Sequence, residues 1–426
     1  MIFARIQVIV QNDNALLIED EDKTNVVKPV VKPNVSDQIP KRKGDEDYSE
    51  VAISERVQWL EQATNTSLKH IPRFSSDPLR FKGNIENIIG TAQVPIGIAG
   101  PLKINGEYAN GVFYVPMATT EGVLITSFSL GMKIITRCGG VDVKLLRDAL
   151  HVTSLFPMTG LNQANMFIKY INKNSVAIKN QAELTTNHGS LKEIETIISG
   201  QGVLLRFIYD TKDAMGMNMI NLATKKACEF ISQELDIKKY YIRSNFSADK
   251  KMSFFNIYKG YGKDLFASAT ITKECLRLLR VTPQQIFEFY INSSASSLKA
   301  GMIGFNGQIV NGITSIFIAC GQDVAHIVHS ANSVSAVSIT PTGDLYISVN
   351  IPNLLVGTVG GGTAIGTQRE CLDILGCYGS GKVKKFAEII AATVLAGELS
   401  ICAALTSGKF FDAHEKYGRN KPNILD

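Results

Sequence analysis

Two adjacent lysines, Lys250 and Lys251, directly follow Asp249 and come shortly after residues 240–246, which we predict to form a strand. Paired lysines usually belong to a solvated face. Beyond the end of a strand, however, an ammonium group can also be presented to the oxygen of an acyl group. Burial alone would lower the pKa of such a lysine, so it keeps its charge only with an acid nearby. Both roles stay open for this pair.

A carboxylate stands directly after the apolar run at residues 316–320, in the sequence Gly321-Gln322-Asp323. Burying a carboxylate is costly unless the group is paired. Asp323 is therefore a candidate functional acid, although a simple surface turn would explain it equally well. His414 has only polar neighbours near the C-terminus, where a single histidine is most often inert.

Two glycine-containing segments could approach a phosphate. Residues 213–218, Asp-Ala-Met-Gly-Met-Asn, join a predicted strand to a predicted helix, and helix N-termini favour anions. A turn with an aspartate cap is nevertheless most often structural, and the segment is not the GxGxxG fingerprint of a Rossmann domain. Residues 357–363 form a glycine cluster that is either a hinge or a loop for close approach to phosphate.

Seven segments, taken together and in this order, resemble the hydroxymethylglutaryl-coenzyme A (HMG-CoA) reductase family. The resemblance extends over about residues 84–420. The DKK and triple-glycine forms resemble class I enzymes, which usually use NADPH. The segments are ENIIG (86–90), VPMATTEG (115–122), DAMGMN (213–218), DKK (249–251), GQD (321–323), GTVGGGT (357–363) and a C-terminal histidine, His414.

The family reduces an acyl-CoA thioester to an alcohol by two hydride transfers from NADPH and releases CoA between them. By resemblance, Lys250 polarises the thioester carbonyl and stabilises the oxyanion that hydride addition creates. Glu121 acts as the acid beside the aldehyde oxygen in the second reduction. Asp323 holds Lys250 and Glu121 together, and His414 protonates the leaving CoA thiolate from a C-terminal lid.

The resemblance also implies ligand contacts and an assembly. It implies no metal site, and it implies a homodimer or homotetramer with the active site between subunits and ENIIG at the dimer interface. The expected substrate contacts are Ser127, Arg243, Asn245, Lys251 and Asn311. The expected NADPH contacts are Asp213, Met215, Gly216, Met217, Asn218, Val359, Gly360, Gly361 and Arg419.

Two positions that hold the free carboxylate of the HMG group in the family differ here. Val152 stands where the family has an arginine, and Ser293 stands near the position of a family lysine. Losing one partner of a buried charge pair typically costs about 2–5 kcal/mol. We hypothesise that Arg243, which replaces a family serine before DKK, supplies the missing guanidinium. The alternatives are another acyl thioester as substrate, or a catalytically quiet homologue that binds a CoA thioester.

The nucleotide side differs as well. Residues 186–188, Thr-Asn-His, stand where the family has the Ser-Arg-Phe that contacts the adenosine 2′-phosphate. NADH is therefore an alternative to NADPH, and Arg419 is a candidate for partial compensation. Asn420 replaces the family's regulatory serine, which excludes phosphorylation at that position.

Several predicted elements must position these residues. Apolar spacing predicts a helix over 51–63, and Gly/Pro turns delimit strands over 94–102 and 115–124. Because threonine caps helices and acids favour their N-termini, we expect a helix to open at residues 119–121 and to run through Lys133.

Residues 154–242 have their own pattern of predicted helices and strands, which we interpret as a small α+β domain inserted into a larger one. It comprises a helical stretch near 189–199, a strand over 203–209 and a helix. That last helix has an apolar face formed by Ile220, Ala223, Ala227, Phe230 and Ile231. By resemblance, the inserted domain is ferredoxin-like and binds the nucleotide.

The predicted fold class is therefore α/β (α+β), a large substrate domain with a small inserted one. The predicted domains are a disordered tail or linker (1–50), an N-terminal helical segment (51–83), the large substrate-binding domain (84–153 with 243–404), the small NADP-binding domain (154–242) and a C-terminal catalytic lid (405–426).

The composition of the 426 residues is that of an ordinary globular protein, with a net charge of +5 that gives no reason to invoke nucleic acid. The seven cysteines lack metal-ligand spacing and are expected to be free thiols of an intracellular protein. The most apolar stretch, residues 389–405, is interrupted by Glu398 and is shorter than the roughly 20 residues of a membrane span. A cytoplasmic enzyme without a membrane partner is expected.

Overall fold

The computed structural model describes residues 38–185 and 189–408. The chain separates into two compact units, Met1–Phe74 with Asn87–Thr91 and Ser75–Glu86 with Ala92–Asp426. The strands in the described residues are β1 (Ile96–Gly106), β2 (Asn110–Ala118), β3 (Val141–Pro157), β4 (Ser190–Ile198), β5 (Gly202–Asp210), β6 (Gly262–Ile271), β7 (Val334–Ile339) and β8 (Leu345–Leu354). The α-helices there are α1 (Glu50–Thr64), α2 (Leu124–Arg137), α3 (Leu161–Lys173), α4 (Ser175–Glu183), α5 (Met217–Glu234), α6 (Phe254–Lys259), α7 (Lys273–Leu278), α8 (Pro283–Lys299), α9 (Ile309–Ala319), α10 (Ile327–Ser330), α11 (Gly366–Ile374) and α12 (Val383–Thr406).

Helix α1 is the main element of the first unit and confirms the helix predicted over 51–63. Ser49 caps it by accepting a hydrogen bond from the backbone N–H of Ala52 at 3.2 Å. Arg56 is fully buried, donates to the carbonyl of Ile88 at 2.8 Å and pairs with Asp47 at 2.7 Å. The expected tail therefore ends before residue 50, because a buried guanidinium holds Asp47 in place.

The second unit is built on one mixed sheet of eight strands. In the order β2-β1-β3-β6-β8-β7, β1 and β3 are parallel and the other neighbours are antiparallel. Strand β5 pairs with β3, and β4 pairs with β5, both antiparallel. The α/β class predicted from the sequence is confirmed.

Strand β3 is shared by the two apolar clusters of the second unit. Its first half pairs with β1 and β6, and its second half pairs with β5. Val141 belongs to the first cluster, with α2, α9 and α12, whereas Val152 and Phe156 belong to the second, with α3, α4 and α5. The predicted boundary at residues 153/154 thus falls inside a continuous strand of 17 residues.

Helix α12 is the most deeply buried helix of the first cluster. Its 24 residues are long and apolar enough to cross a membrane, but 78% of its most apolar window is buried inside the protein. It extends beyond the stretch 389–405, which the sequence suggested was too short for a span. Its burial is that of a core helix rather than of a helix exposed to lipid.

Glu398 lies within this apolar helix and is fully buried. Its carboxylate accepts hydrogen bonds from the backbone N–H groups of Gly307 at 2.8 Å and Gln308 at 2.7 Å, and from the hydroxyl of Ser335 at 2.8 Å. Burial raises the pKa of Glu398, and these donors oppose that rise. The carboxylate thereby satisfies backbone donors just before α9, as a capping group does.

The helix predicted near 189–199 is wrong, because those residues form strand β4. The charged Lys192, Glu193 and Glu195 are compatible with an exposed helix face, but the strand register with β5 decides the conformation. The β-branched residues Thr196 and Ile197 were the missed signal. The following strand and helix are confirmed as β5 and α5.

Two further predicted elements are shifted. Strand β2 ends at Ala118 and helix α2 begins only at Leu124, because residues 119–121 form a turn in which Thr119 Oγ accepts the N–H of Glu121 at 2.9 Å. The strand predicted over 240–246 is also wrong. That segment has one bridge, Leu155 with Tyr241, and otherwise follows β3 through single hydrogen bonds.

We predict that Gly131→Ala in α2 destabilises the protein by about 2 kcal/mol, because a Cβ there would lie 1.9 Å from the carbonyl oxygen of Ala396 in α12. Chemical denaturation followed by circular dichroism measures the change. Gly160→Ala is the matched control, since a Cβ at that extended position meets nothing within 4 Å. Equal midpoints for the two variants would contradict the close packing of α2 on α12.

Candidate active site

Lys250 and Asp323 form the ion pair at the centre of the candidate site. Lys250 Nζ lies 2.9 Å from Asp323 Oδ2, with the two side chains 43% and 36% exposed. The turn that carries the lysine is tight, since Ala248 and Lys250 both have left-handed backbone conformations, with φ of 49° and 53°. The pair is therefore partly open to a ligand.

The carboxylate of Asp323 is held from several sides. It follows helix α9, and its Oδ1 accepts the backbone N–H of Ala325 at 3.0 Å. Burial raises the pKa of Asp323, but the hydrogen bonds from Lys250 and Ala325 and the nearby His326 outweigh burial, so the pKa lies below its ordinary value. The acid stays ionised, which keeps a countercharge beside the ammonium.

Asp249 precedes the lysine and has its own set of partners. Its Oδ2 lies 2.6 Å from Arg243 Nη2, and its Oδ1 accepts the hydroxyl of Tyr261 at 3.1 Å. Burial raises the pKa of Asp249, but Arg243, His326 and Tyr261 outweigh it and lower the pKa. The turn thus carries alternating charges, with Arg243 and Lys250 on either side of the carboxylate in sequence.

The loop that carries Asp323 packs directly on the glycine cluster at 357–363. Gln322 donates to the carbonyl of Gly357 at 3.0 Å and accepts its N–H at 2.9 Å. A Cβ at Gly321 would lie 2.4 Å from the carbonyl oxygen of Gly362, so only glycine permits this approach. The two motifs form one surface.

The turn at 213–218 packs against the same glycine cluster. Ala214 forms a parallel bridge with Val359, and the N–H of Thr358 donates to the carbonyl of Asp213 at 2.8 Å. The carboxylate of Asp213 accepts the N–H groups of Lys382 and Val383 at 3.0 and 3.1 Å. Asp213, predicted as a nucleotide contact, therefore also caps helix α12.

The other expected nucleotide contacts within the described residues lie on the turn at 213–218 and in the glycine cluster. Gly216, with φ of 95°, opens α5 beside Met217. Gly360 and Gly361 have φ of 74° and 53°, and a Cβ at either would meet nothing within 4 Å. Met215 is half-buried and Asn218 is exposed. The backbone N–H groups of Gly360 and Gly361 are therefore open to an anion such as a phosphate, whereas the Cβ position of Gly216 is occupied by Thr211.

A cleft of about 320 Å³ lies beside this turn and has mixed charge. Lys192, Lys212 and Lys384 line it together with Asp210. Two of these lysines already face Asp210, at 3.8 Å for Lys192 and 2.8 Å for Lys212. The cleft is therefore a less direct phosphate site than the backbone of the glycine cluster.

Glu121 is not joined to the ion pair. It is exposed, and among the residues that the structure describes no side-chain hydrogen bond or ion pair links it to Lys250 or Asp323. The predicted contact between the three groups is thus absent within one described chain. His414, Arg419, Asn420 and the segment 186–188 lie outside the described residues.

The expected substrate contacts fall into two groups. Lys251 and Asn245 are exposed on the turn that carries Lys250, and Lys251 Nζ donates to the carbonyl of Asp249 at 3.2 Å. Ser127 instead joins α2 to α12, with its Oγ 3.1 Å from the hydroxyl oxygen of Ser400. Asn311 is half-buried in the first turn of α9 and does not lie on the Lys250 turn.

Sequence reasoning missed the groups behind the ion pair. His326 is buried, with Nε2 3.4 Å from Asp323 Oδ2 and Nδ1 3.8 Å from Asp249 Oδ1. Tyr261, also buried, places its hydroxyl 3.1 Å from Asp249 and 3.5 Å from Met217 Sδ. A histidine three residues after a candidate acid was the available signal, because such residues share one face of a helical turn.

Comparison with known proteins identifies the family. The family described as hydroxymethylglutaryl-coenzyme A reductase matches residues 52–419. The 3-hydroxy-3-methylglutaryl-coenzyme A reductases of Methanocaldococcus jannaschii and Pyrococcus abyssi are 44% and 41% identical, each over 87% of this chain and 94% and 93% of their own. Reductase 1 of Dictyostelium discoideum is 35% identical over 87% of this chain and 69% of its own.

A solved structure shares the fold. The class II HMG-CoA reductase of Streptococcus pneumoniae, bound to NADPH in open conformations, superposes with a TM-score of 0.61 at 20% identity. The match covers 76% of this chain and 88% of that one. The chain belongs to the HMG-CoA reductase family. The family and fold predicted from the motifs are confirmed, and with them the expectation of an oxidoreductase.

We predict that Asp213→Ala lowers the stability of the ligand-free protein by about 1 kcal/mol, because two N–H groups at the start of α12 lose their acceptor. Thermal unfolding measures the loss. Asp213→Asn retains a side-chain oxygen and is expected to keep most of the stability. If Asp213→Ala unfolds at the wild-type temperature, the capping role is wrong.

Proposed function

We propose that the protein is an HMG-CoA reductase, which reduces HMG-CoA to mevalonate and CoA with NADPH. Family membership over residues 52–419 supports the activity. The observation that carries the assignment of roles is the Lys250–Asp323 pair, 2.9 Å apart, in which the loop of Asp323 contacts the glycine cluster. This arrangement supports Lys250 as the cation for an oxyanion and the glycine cluster as a backbone suited to a dinucleotide.

Lys250 would bind the thioester oxygen and stabilise the negative charge that develops on it. A preorganised ammonium in a partly dry site does this without reorganisation at the moment of reaction. Asp323, whose pKa is held below its ordinary value, keeps its charge and thereby supports the charge of Lys250. Bound NADPH supplies the hydride.

The residues around the glycine cluster would hold that nucleotide. The open backbone at Gly360 and Gly361 leaves room for a phosphate, and Gly216 gives α5 a left-handed start beside it in the turn at 213–218. The second apolar cluster, around β4, β5 and α5, supports residues 154–242 as the nucleotide-binding domain. NADH is the alternative reductant, which the assay below separates.

Glu121 would complete the site from a second copy of the chain. The exposed Glu121, which has no side-chain bond to Lys250 or Asp323 in the described residues, supports this assignment. We therefore propose a homodimer or homotetramer with the active site between subunits, and His414 as the acid for the departing thiolate. The burial of α12 supports a cytoplasmic enzyme without a membrane partner.

We predict that the wild-type protein oxidises NADPH and releases CoA with HMG-CoA, and that Lys250→Ala lowers kcat by about 100- to 1,000-fold, as expected on losing an oxyanion partner. NADPH absorbance and thiol release are followed together, with NADH run in parallel.

Lys238→Ala is the matched control, because this lysine is 84% exposed and has no part in the proposed chemistry. Its activity should equal that of the wild type. If wild-type protein turns over no thioester with either nucleotide, the proposed activity is wrong. If it turns over only thioesters that lack a distal carboxylate, the related reductase activity replaces it.

Arg243 is well placed to bind the distal carboxylate of HMG. Val152, at the family's arginine position, is fully buried in the second apolar cluster, and Ser293 is exposed on α8. Residues 241–244 run beside that part of β3, since the N–H of Ser244 donates to the carbonyl of Thr153 at 2.8 Å. The backbone of Arg243 therefore lies beside the part of β3 that carries Val152.

The guanidinium has donors to spare. Nη2 of Arg243 donates to Asp249 Oδ2 at 2.6 Å, and the Arg243 side chain remains 41% exposed. A guanidinium has five N–H donors, so Nε and Nη1 can bind a second carboxylate while the first bond persists. Arg243 is thus the guanidinium that we propose for the HMG carboxylate.

We predict that Arg243→Ala raises the KM for HMG-CoA by about tenfold, less than for a fully buried pair because solvent screens an exposed one. Steady-state kinetics of the wild type and variant measure the ratio. Arg243→Lys keeps the charge without the fork and should fall between them. With an acyl-CoA that lacks the distal carboxylate, Arg243→Ala should leave KM unchanged. An unchanged KM for HMG-CoA refutes the role.

A further inference from the structure

His326 occupies an unusual position between two carboxylates. It is 1% exposed and lies on the short 3-10 turn that follows Asp323. Its Nε2 lies 3.4 Å from the same Asp323 oxygen that pairs with Lys250, and its Nδ1 lies 3.8 Å from Asp249. Neither ring nitrogen has a well-aligned hydrogen-bond partner among the described residues.

Such an imidazole is costly to bury unless it bonds to its neighbours. The two carboxylates are the acceptors within reach, at 3.4 Å for Asp323 and 3.8 Å for Asp249. Burial lowers the pKa of His326 and outweighs the two carboxylates, which raise it. The ring is therefore neutral near pH 7 and can donate through one nitrogen.

The charges that face His326 balance, and the distances favour donation to Asp323. Asp323 and Asp249 supply two negative charges, and Lys250 and Arg243 supply two positive ones, so the group is neutral when the ring carries a single proton. Each carboxylate already has two other partners, Arg243 and Tyr261 for Asp249 and Lys250 and the N–H of Ala325 for Asp323. Asp323 Oδ2 is the nearer acceptor, which places the single N–H on Nε2.

The remaining neighbours add no charge. The ring of His329 lies 5.0 Å from that of His326 and 4.9 Å from that of Tyr261. Burial lowers the pKa of His329 to about 3 and raises the pKa of Tyr261 well above its ordinary value. Both groups are therefore neutral over the working pH range.

We propose that His326 is a positioning residue, which donates Nε2–H to Asp323 and thereby holds that carboxylate against the Lys250 ammonium. The inference rests on the proposed reductase activity for its kinetic consequence. Its structural part, the protonated nitrogen of His326 and its acceptor, does not depend on turnover.

The pH dependence follows from the sign of the pKa shift. The folded pKa of Asp323 lies below its ordinary value, so the ion pair is present above that pKa and is lost as pH falls through it. A hydrogen bond from the neutral ring to the ionised carboxylate favours the charged form and lowers this pKa further. Removing the imidazole therefore moves the loss of activity on acidification to a higher pH.

The kinetic test compares His326→Leu, His326→Gln and the wild type. We expect His326→Leu to lower kcat about 10- to 100-fold, as for loss of a hydrogen bond to a charged group, and to shift the acid limb of the kcat profile to higher pH. His326→Gln keeps an N–H donor and should restore most of both. His329→Leu, a buried histidine beside it, should leave the acid limb in place.

A second test needs no activity. Nitrogen NMR of histidine-labelled protein, with the His326 signal assigned from His326→Gln, reports which ring nitrogen carries the proton. We expect the Nε2–H tautomer at pH 7, and we expect Asp323→Leu to remove that preference. An imidazolium, an Nδ1–H tautomer, or a folded His326→Leu protein with an unchanged acid limb each overturns the proposal. Absence of turnover in the wild type, with the expected tautomer, would instead count against the reductase activity alone.

Discussion

The approach of the backbone at Gly321 to the backbone at Gly362 is the constraint on which the site depends. A Cβ at Gly321 would lie 2.4 Å from the carbonyl oxygen of Gly362, and one at Gly362 would lie 2.7 Å from the carbonyl oxygen of Gly321. A side chain at either position would force the loops apart. Asp323 is two residues from Gly321. The position of the Lys250–Asp323 pair relative to the glycine cluster therefore depends on the lack of a side chain at Gly321 and at Gly362.

Next to this contact, cations and carboxylates alternate around the neutral ring of His326. Arg243, Asp249, His326, Asp323 and Lys250 follow one another in space as cation, carboxylate, neutral ring, carboxylate and cation. Each carboxylate has a cation on one side and the ring on the other. An isolated buried charge is expensive, whereas a neutral set with short contacts lowers that cost and fixes the direction of every group. The array thus couples the lysine to residues that are remote from solvent.

The sequence predicts well the groups whose chemistry is local to a motif. The loops that carry Lys250 and Asp323 could be recognised because each motif is short, and the structure pairs the two side chains at 2.9 Å. The role of Asp213 in capping α12 could not be foreseen, since the two N–H groups that donate to its carboxylate lie 169 and 170 residues away along the chain. Strand β4 was missed for the same kind of reason. Its charge pattern suits a helix, and only pairing with β5 makes it a strand.

Helix α12 has a consequence for how the protein is made. All eight strands of the sheet precede it along the chain, yet it provides much of the first apolar cluster. During synthesis from the N-terminus, the strands therefore leave the ribosome before the helix that covers them exists. The amides before α9 that bind Glu398 must also wait for that carboxylate. Until α12 has been synthesised, the apolar residues of the first cluster that it covers lack their partner and are open to aggregation.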